Sequence, residues 1–193
     1  MTFTKKLIEI IDASKYLIGE KGVQNLTIKN LAKKMSFSEP ALYRHFKDKT
    51  QILKGLLLFH REAIKNGIFK ILDSDKNALE KIEAVLKFKF AHVEKNPALV
   101  MVIFSETSFQ YCSVLSKVVR KILDQRKKKI ISLIESGQNE GSIRSDINSQ
   151  QLATIVLGGI RTTILSWRLS GFESDLKAEG EKLWETLEIL FKK

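Results

Sequence analysis

Between residues 27 and 49 the chain gathers Thr27, Ser38, Glu39, Pro40, Ala41, Tyr43, Arg44, His45 and Lys49. These are hydroxyls, ring donors and cations interleaved with small residues. Such a set suits binding rather than bond-breaking: the donors reach phosphate oxygens while a short polar helix meets base edges, the two kinds of contact by which a protein is positioned on DNA and reads it. The elements that must hold these residues are legible around them. Thr27 is placed to cap a helix, because its hydroxyl accepts an otherwise orphaned N–H of the first turn. Ile28, Leu31, Ala32 and Met35 then repeat at helical spacing. Met35-Ser36-Phe37 breaks the pattern. Ser38 caps a second helix, with Pro40 in its first turn where a missing N–H does no harm. Leu42 and Phe46, four apart, anchor that helix from beneath. This spacing predicts a helix–turn–helix rather than an ordinary α-hairpin, with Glu39, Pro40 and Ala41 toward bases, Thr27, Tyr43, His45 and Lys49 toward phosphates, and Arg44 suited to either.

The run Ser38-x-Pro40-x-Leu42-Tyr43-x-His45-Phe46-x-x-Lys49 resembles the DNA-binding signature of TetR-family transcriptional regulators. The resemblance implies a three-helix head followed by a long helix that begins at the Lys. One position departs from it: the family usually has Gly in the turn, where this chain has Ser36. A serine tolerates positive φ less well than glycine.

Composition fits this reading. The 193 residues are 44% hydrophobic, enough to bury a core, and only two prolines and ten glycines interrupt them. The expected class is all-α. Residues 1–50 hold ten Lys/Arg against five Asp/Glu, net +5; residues 51–193 hold 23 against 17, net +6 over nearly three times the length. The basic excess is densest where phosphates would be met. Cys112 is the single cysteine, so no intramolecular disulfide forms and a reducing, cytoplasmic setting is expected. No run of about 18 uncharged apolar residues offers a membrane span, and the charged N-terminus does not read as a signal peptide.

Nine helices are expected, three in a DNA-binding head at 1–47 and six in a ligand-binding and dimerisation body at 48–193. The first runs from about Thr4 to Glu20, with Gly22 as its C-cap. The fourth, from Asp48 to about Leu72, carries a stripe that includes Leu53, Leu56, Leu57, His60, Ile64 and Ile68, and is the natural lever between head and body. Asp73-Ser74-Asp75 reads as the next turn and cap. Asn96-Pro97 ends the fifth helix and opens a short apolar one.

The penultimate helix, near 149–170, is apolar on more than one face over its stretch 152–160, which calls for two coverings, and the last, near 173–192, offers an apolar set that includes Leu183, Trp184, Leu187 and Phe191. Ile155, Gly158, Gly159, Thr163, Leu183, Trp184, Leu187 and Phe191 are the expected homodimer face. The resemblance implies the same four-helix pairing, and a monomeric bundle with a thick core is the alternative.

No catalytic or metal constellation appears. His45, His60 and His92 are too scattered for a metal site, and no phosphate loop, nucleophile elbow or carboxylate pair is present. The chain is not read as an enzyme, and no cofactor is expected. The basic run Arg126-Lys127-Lys128-Lys129, with Arg120 and Lys121, reads as a solvated face with one member turned inward toward an acidic ligand. Phe59, Phe88, Phe90, Met101, Phe104, Phe109, Tyr111 and Trp167 suit either plain core or an apolar cavity. The resemblance favours the cavity, and with it a small apolar or amphipathic ligand in contact with Phe59, Phe88, Met101, Phe104, Trp167 and Arg161. Arg161 and Arg168 could equally meet a partner carboxylate. The sequence thus points to a homodimeric, ligand-responsive repressor on a palindromic double-stranded DNA operator. A nucleoid-associated division regulator of the same fold, acting through a protein partner, is the second reading.

Overall fold

The computed structural model describes residues 3–105 and 112–192. Nine α-helices occur among them: α1 (Lys5–Lys21), α2 (Ile28–Met35), α3 (Glu39–Tyr43), α4 (Lys49–Leu72), α5 (Ala78–Glu94), α6 (Pro97–Ile103), α7 (Ser113–Glu140), α8 (Ser149–Leu169) and α9 (Leu176–Phe191), with a 3₁₀ turn at Val23–Asn25. Among the described residues there is no strand. Phe109 and Tyr111 lie outside the described residues.

The helix starts follow from capping side chains. The Thr4 hydroxyl accepts from Leu7 N at 3.3 Å, and the Asp175 carboxylate accepts from Ala178 N at 2.9 Å. For α5 the cap is Asn77, not the Asp73–Asp75 turn expected from sequence. Asn77 Oδ1 accepts from Glu80 N at 2.9 Å, and Glu80 Oε2 accepts from Asn77 N at 2.9 Å, a reciprocal pair that satisfies two orphan donors. Glu140, at the end of α7, accepts a third, from Ala78 N at 2.6 Å.

The chain divides into two compact units, residues Met1–Ala63 with Asn96–Arg120, and Ile64–Lys95 with Lys121–Lys193. This division differs from a cut at residue 47. In the first unit α1 packs on α2, the 3₁₀ turn and α6, and α2 on α3. Ile10, Ile11, Ile18, Leu26, Leu31, Leu56 and Val102 are buried there.

In the second unit α9 packs mainly on α5 and then on α8. Gly180 lets α9 approach α5, since a Cβ there would stand 2.5 Å from Phe90 Cδ2. Trp184 (7% exposed), Leu187 (2%) and Phe191 (0%) fill this unit's own core. They were expected to face a second copy, and the structure corrects that: their apolar surface is already covered within one chain. Gly159 likewise faces inward, where a Cβ would come within 2.9 Å of Leu183 Cδ1. Thr163 is half-buried, its hydroxyl bonded to Gly159 O at 3.0 Å. What stays outside is Ile155, Leu169 and Ile189, the last 77% exposed, together with Gly158, where a Cβ meets open space.

Candidate DNA-binding site

Thr27 caps α2 as its sequence requires, accepting from Asn30 N at 3.1 Å. The turn that ends α2 is closed by Phe37 N–H on Ala32 O at 2.9 Å. This geometry forces Ser36 into the left-handed region at φ 54°, ψ 39°. The departure from Gly therefore falls where positive φ is needed, at a cost of roughly 1 kcal/mol for a side chain with a Cβ. Ser38 caps α3, accepting from Ala41 N at 3.3 Å. Leu42 and Phe46 are buried beneath it. Glu39, Pro40, Arg44 and His45 are exposed, Ala41 is half-buried, and Tyr43 is 50% exposed. The polar residues on and just after α3 are thus accessible, on a helix held from below by two apolar side chains.

Lys49 takes another position. Its ammonium donates to Val23 O at 2.6 Å, and burial lowers its pKa from the usual lysine value. It ties the first turn of α4 to the 3₁₀ turn. Asn25 Nδ2 bonds Leu17 O at 2.8 Å, and Asn30 Nδ2 bonds Asn25 O at 2.9 Å. These bonds join α1, the 3₁₀ turn, α2 and α4 into one cross-linked scaffold. An ammonium carries three donors, so Lys49 keeps capacity for a phosphate.

Sequence reasoning passed over Lys29, Lys33, Lys34 and Lys47, all exposed in the same unit. None of them forms an ion pair with a carboxylate among the described residues. Lys34 lies over the Tyr16 ring at 3.2 Å. The signal for these cations was the local charge excess, which counts them without placing them.

The second unit contains an apolar cavity of about 60 Å³, lined by side chains that include Ile64, Ile68, Val85 and Ile160, with Lys89 and Arg126 among them. A polar cleft of about 290 Å³ adjoins it, bearing Lys76, Lys81, Ser132 and Ser136. Leu72, Lys129 and Leu133 line both. Phe59, Phe88, Met101, Phe104, Arg161 and Trp167 are not among the residues lining the cavity. Phe59, Met101 and Phe104 belong to the first compact unit, and Phe59 is packed edge-on against Phe3 at 5.2 Å. Phe88 lies on Gly67, where a Cβ would stand 2.0 Å from its ring tip. Trp167 is buried and stacks edge-on with Phe172 at 4.7 Å. Arg161 is exposed. Aliphatic side chains and three cations make the wall of this cavity. Of the basic run, two members, Arg126 and Lys129, line the cavity.

A capped helix–turn–helix presenting polar side chains, on a chain with no strand among its described residues, fits a DNA-binding regulator, and comparison with known proteins names its kind. The model for bacterial regulatory proteins of the tetR family matches residues 10–56. That for the C-terminal region of YsiA-like proteins matches residues 61–189. The chain belongs to the TetR family of regulatory proteins. The nucleoid occlusion factor SlmA of Vibrio atlanticus is 32% identical over 168 residues, covering 74% of this chain and 86% of that protein. The fatty acid degradation regulator FadR from Bacillus halodurans shares the fold with a TM-score of 0.83 at 17% identity, over 97% of this chain and 96% of that one. FadR from Bacillus subtilis, in complex with stearoyl-CoA, does so with a TM-score of 0.76 at 22% identity, over 93% and 96%. Among the described residues no helix is long and apolar enough to cross a membrane.

Proposed function

We propose that the protein is a cytoplasmic, ligand-responsive repressor that binds a palindromic operator as a homodimer. The observation that carries the ligand response is the apolar cavity with Lys89 and Arg126 in its wall, which suits an amphipathic molecule; one protein of the same fold holds stearoyl-CoA. Glu39, Pro40 and Ala41 meet base edges, Tyr43, His45, Thr27 and Lys49 hold phosphates, and Arg44 serves either purpose. Two copies joined through the exposed line of Ile155, Gly158, Leu169 and Ile189 would set the α3 helices about 34–36 Å apart, in successive major grooves. Ligand binding changes that separation.

Likeness to nucleoid occlusion factors favours a second reading, a division regulator that acts through a protein partner. Genome-wide mapping of binding sites separates the two. A few palindromic promoter sites support repression, and many dispersed chromosomal sites support the second reading. For the DNA surface itself, Ala41→Glu places a carboxylate against the groove and abolishes specific binding with helix content intact. Unchanged operator affinity would mean that α3 is not the reading helix.

A further inference from the structure

We infer that the cavity of the second unit is an anion site, in which Lys89 and Arg126 hold the acidic head of an apolar-tailed molecule whose tail lies along Ile64, Ile68, Val85 and Ile160. The inference rests on the ligand-responsive reading for its use in the cell. The site itself rests on local chemistry. Lys89, on α5, and Arg126, on α7, share one apolar wall, and neither forms an ion pair with a carboxylate among the described residues. Burying one cation without an acid is costly, and burying two side by side adds mutual repulsion. Long cationic side chains ordinarily escape this by carrying their heads out to water; these two are half-buried and both line the cavity. Desolvation and then the Arg126 charge push Lys89 down to about 7, and desolvation lowers Arg126 as well.

The remaining wall supplies no acid. Lys129, from α7, is a third cation, while α4 and α8 contribute only Ile64, Ile68, Leu72, Leu157 and Ile160. The one carboxylate of the adjoining cleft, Glu140, already accepts from Ala78 N and from the Ser142 hydroxyl, each at 2.6 Å. That cleft is basic, and Lys129 belongs to both spaces, so an anion would pass from one set of cations to the next. An anion at the inner pair removes the repulsion and restores the proton to Lys89. Binding therefore takes up a proton above neutral pH, and affinity falls as pH rises. The cavity, at about 60 Å³, exceeds the ~10–15 Å³ that one water requires but is far below the ~300 Å³ of a preformed drug-sized pocket. Short-chain probes are therefore the ones to use.

Calorimetric titration of the full chain with octanoate, octyl phosphate and octanol tests the inference. At least one of the two anions should bind about tenfold or more tighter than octanol, the size of one charge-assisted hydrogen bond. Which anion is preferred tells a carboxylate from a phosphate head. Lys89→Met and Arg126→Met should each erase about tenfold of that preference and leave octanol binding unchanged or tighter. Where a Met variant fails to fold, the Gln variant takes its place. Octanoate affinity in the wild type should fall at least fivefold between pH 6.5 and 8.5. Octanol binding as tightly as both anions, or a preference that survives both substitutions, overturns the inference. Operator affinity is measured separately. Anions that bind in this pattern yet leave DNA binding unchanged would refute the ligand-responsive reading and leave the anion site standing.

Discussion

Replacing Lys89 by Met should stabilise the protein at neutral pH and flatten its pH dependence. In the folded chain the Lys89 ammonium is pushed down to about 7, whereas in the unfolded chain it sits near the ordinary ~10.4. Below pH 7 the full cost of burying the charge is present. As pH rises from 7 toward 10.4 the folded chain holds Lys89 neutral while the unfolded chain still binds the proton, so the free energy of unfolding increases with pH. Two such pKa values give about 2 kcal/mol of added stability between pH 7 and pH 9; partial exposure of the side chain and solvent screening reduce this to roughly 1 kcal/mol. The Met side chain carries no proton and follows the same apolar wall. The variant should therefore exceed the wild type by at least ~1 kcal/mol at pH 7, with the advantage shrinking by pH 9. Lys49, whose pKa is also lowered, acts with the same sign in both proteins and cancels. Urea midpoints at pH 7, 8 and 9, at fixed salt and protomer concentration, measure the difference. Parallel pH curves for the two proteins, or a variant weaker than wild type at pH 7, would refute the desolvation of Lys89 on which the reasoning rests.

Ser36→Gly should raise stability by about 0.5–1 kcal/mol, because the left-handed turn no longer strains a Cβ and glycine's extra unfolded-state freedom offsets only part of the gain; a lower urea midpoint would count against the turn geometry. Lys49→Ala should do two things: weaken binding to every DNA sequence with a salt slope smaller by about one per subunit contact, and lower the urea-derived stability by about 1 kcal/mol as Val23 O loses its donor. A salt slope equal to wild type removes Lys49 from the phosphate contacts while leaving its tether intact. Gly158→Trp should shift the protein from dimer to monomer in light scattering with its melting temperature largely kept, whereas Gly159→Trp, facing Leu183, should unfold α8 from α9. A Gly158→Trp chain that remains dimeric places the interface elsewhere.

The helix–turn–helix was legible because local chemistry dictates it. Thr27 and Ser38 cap, Leu42 and Phe46 anchor, and Gly22 ends α1 at φ 83°, each within a few residues of the group it serves. The interior of the second unit was not legible in the same way. Apolar character says that Trp184, Leu187 and Phe191 are buried; it does not say whether their own chain or a second copy covers them. The cavity wall is made of Ile, Leu and Val, whose helical spacing equals that of solid core. Of its three cations, Arg126 and Lys129 stood out only as parts of a charge run, and Lys89 was hidden among alternating Lys and Phe residues. The Lys49 tether joins residues 26 apart in sequence, beyond the reach of any local pattern.

That tether bears on the way the first unit comes apart. Lys49, Asn25 and Asn30 form hydrogen-bonded cross-links between segments that otherwise meet mainly through apolar contacts. Opening the start of α4 strands a carbonyl, and loosening α2 strands an amide. Local fraying therefore gains little before several bonds break together. Amide exchange across residues 22–52 should accordingly proceed as one cooperative event, with neighbouring amides sharing a single opening free energy. On the ligand-responsive reading proposed above, a regulator built this way would change its grip on DNA by moving its reading surface intact, with the response time of a rigid-body displacement rather than of a melting helix.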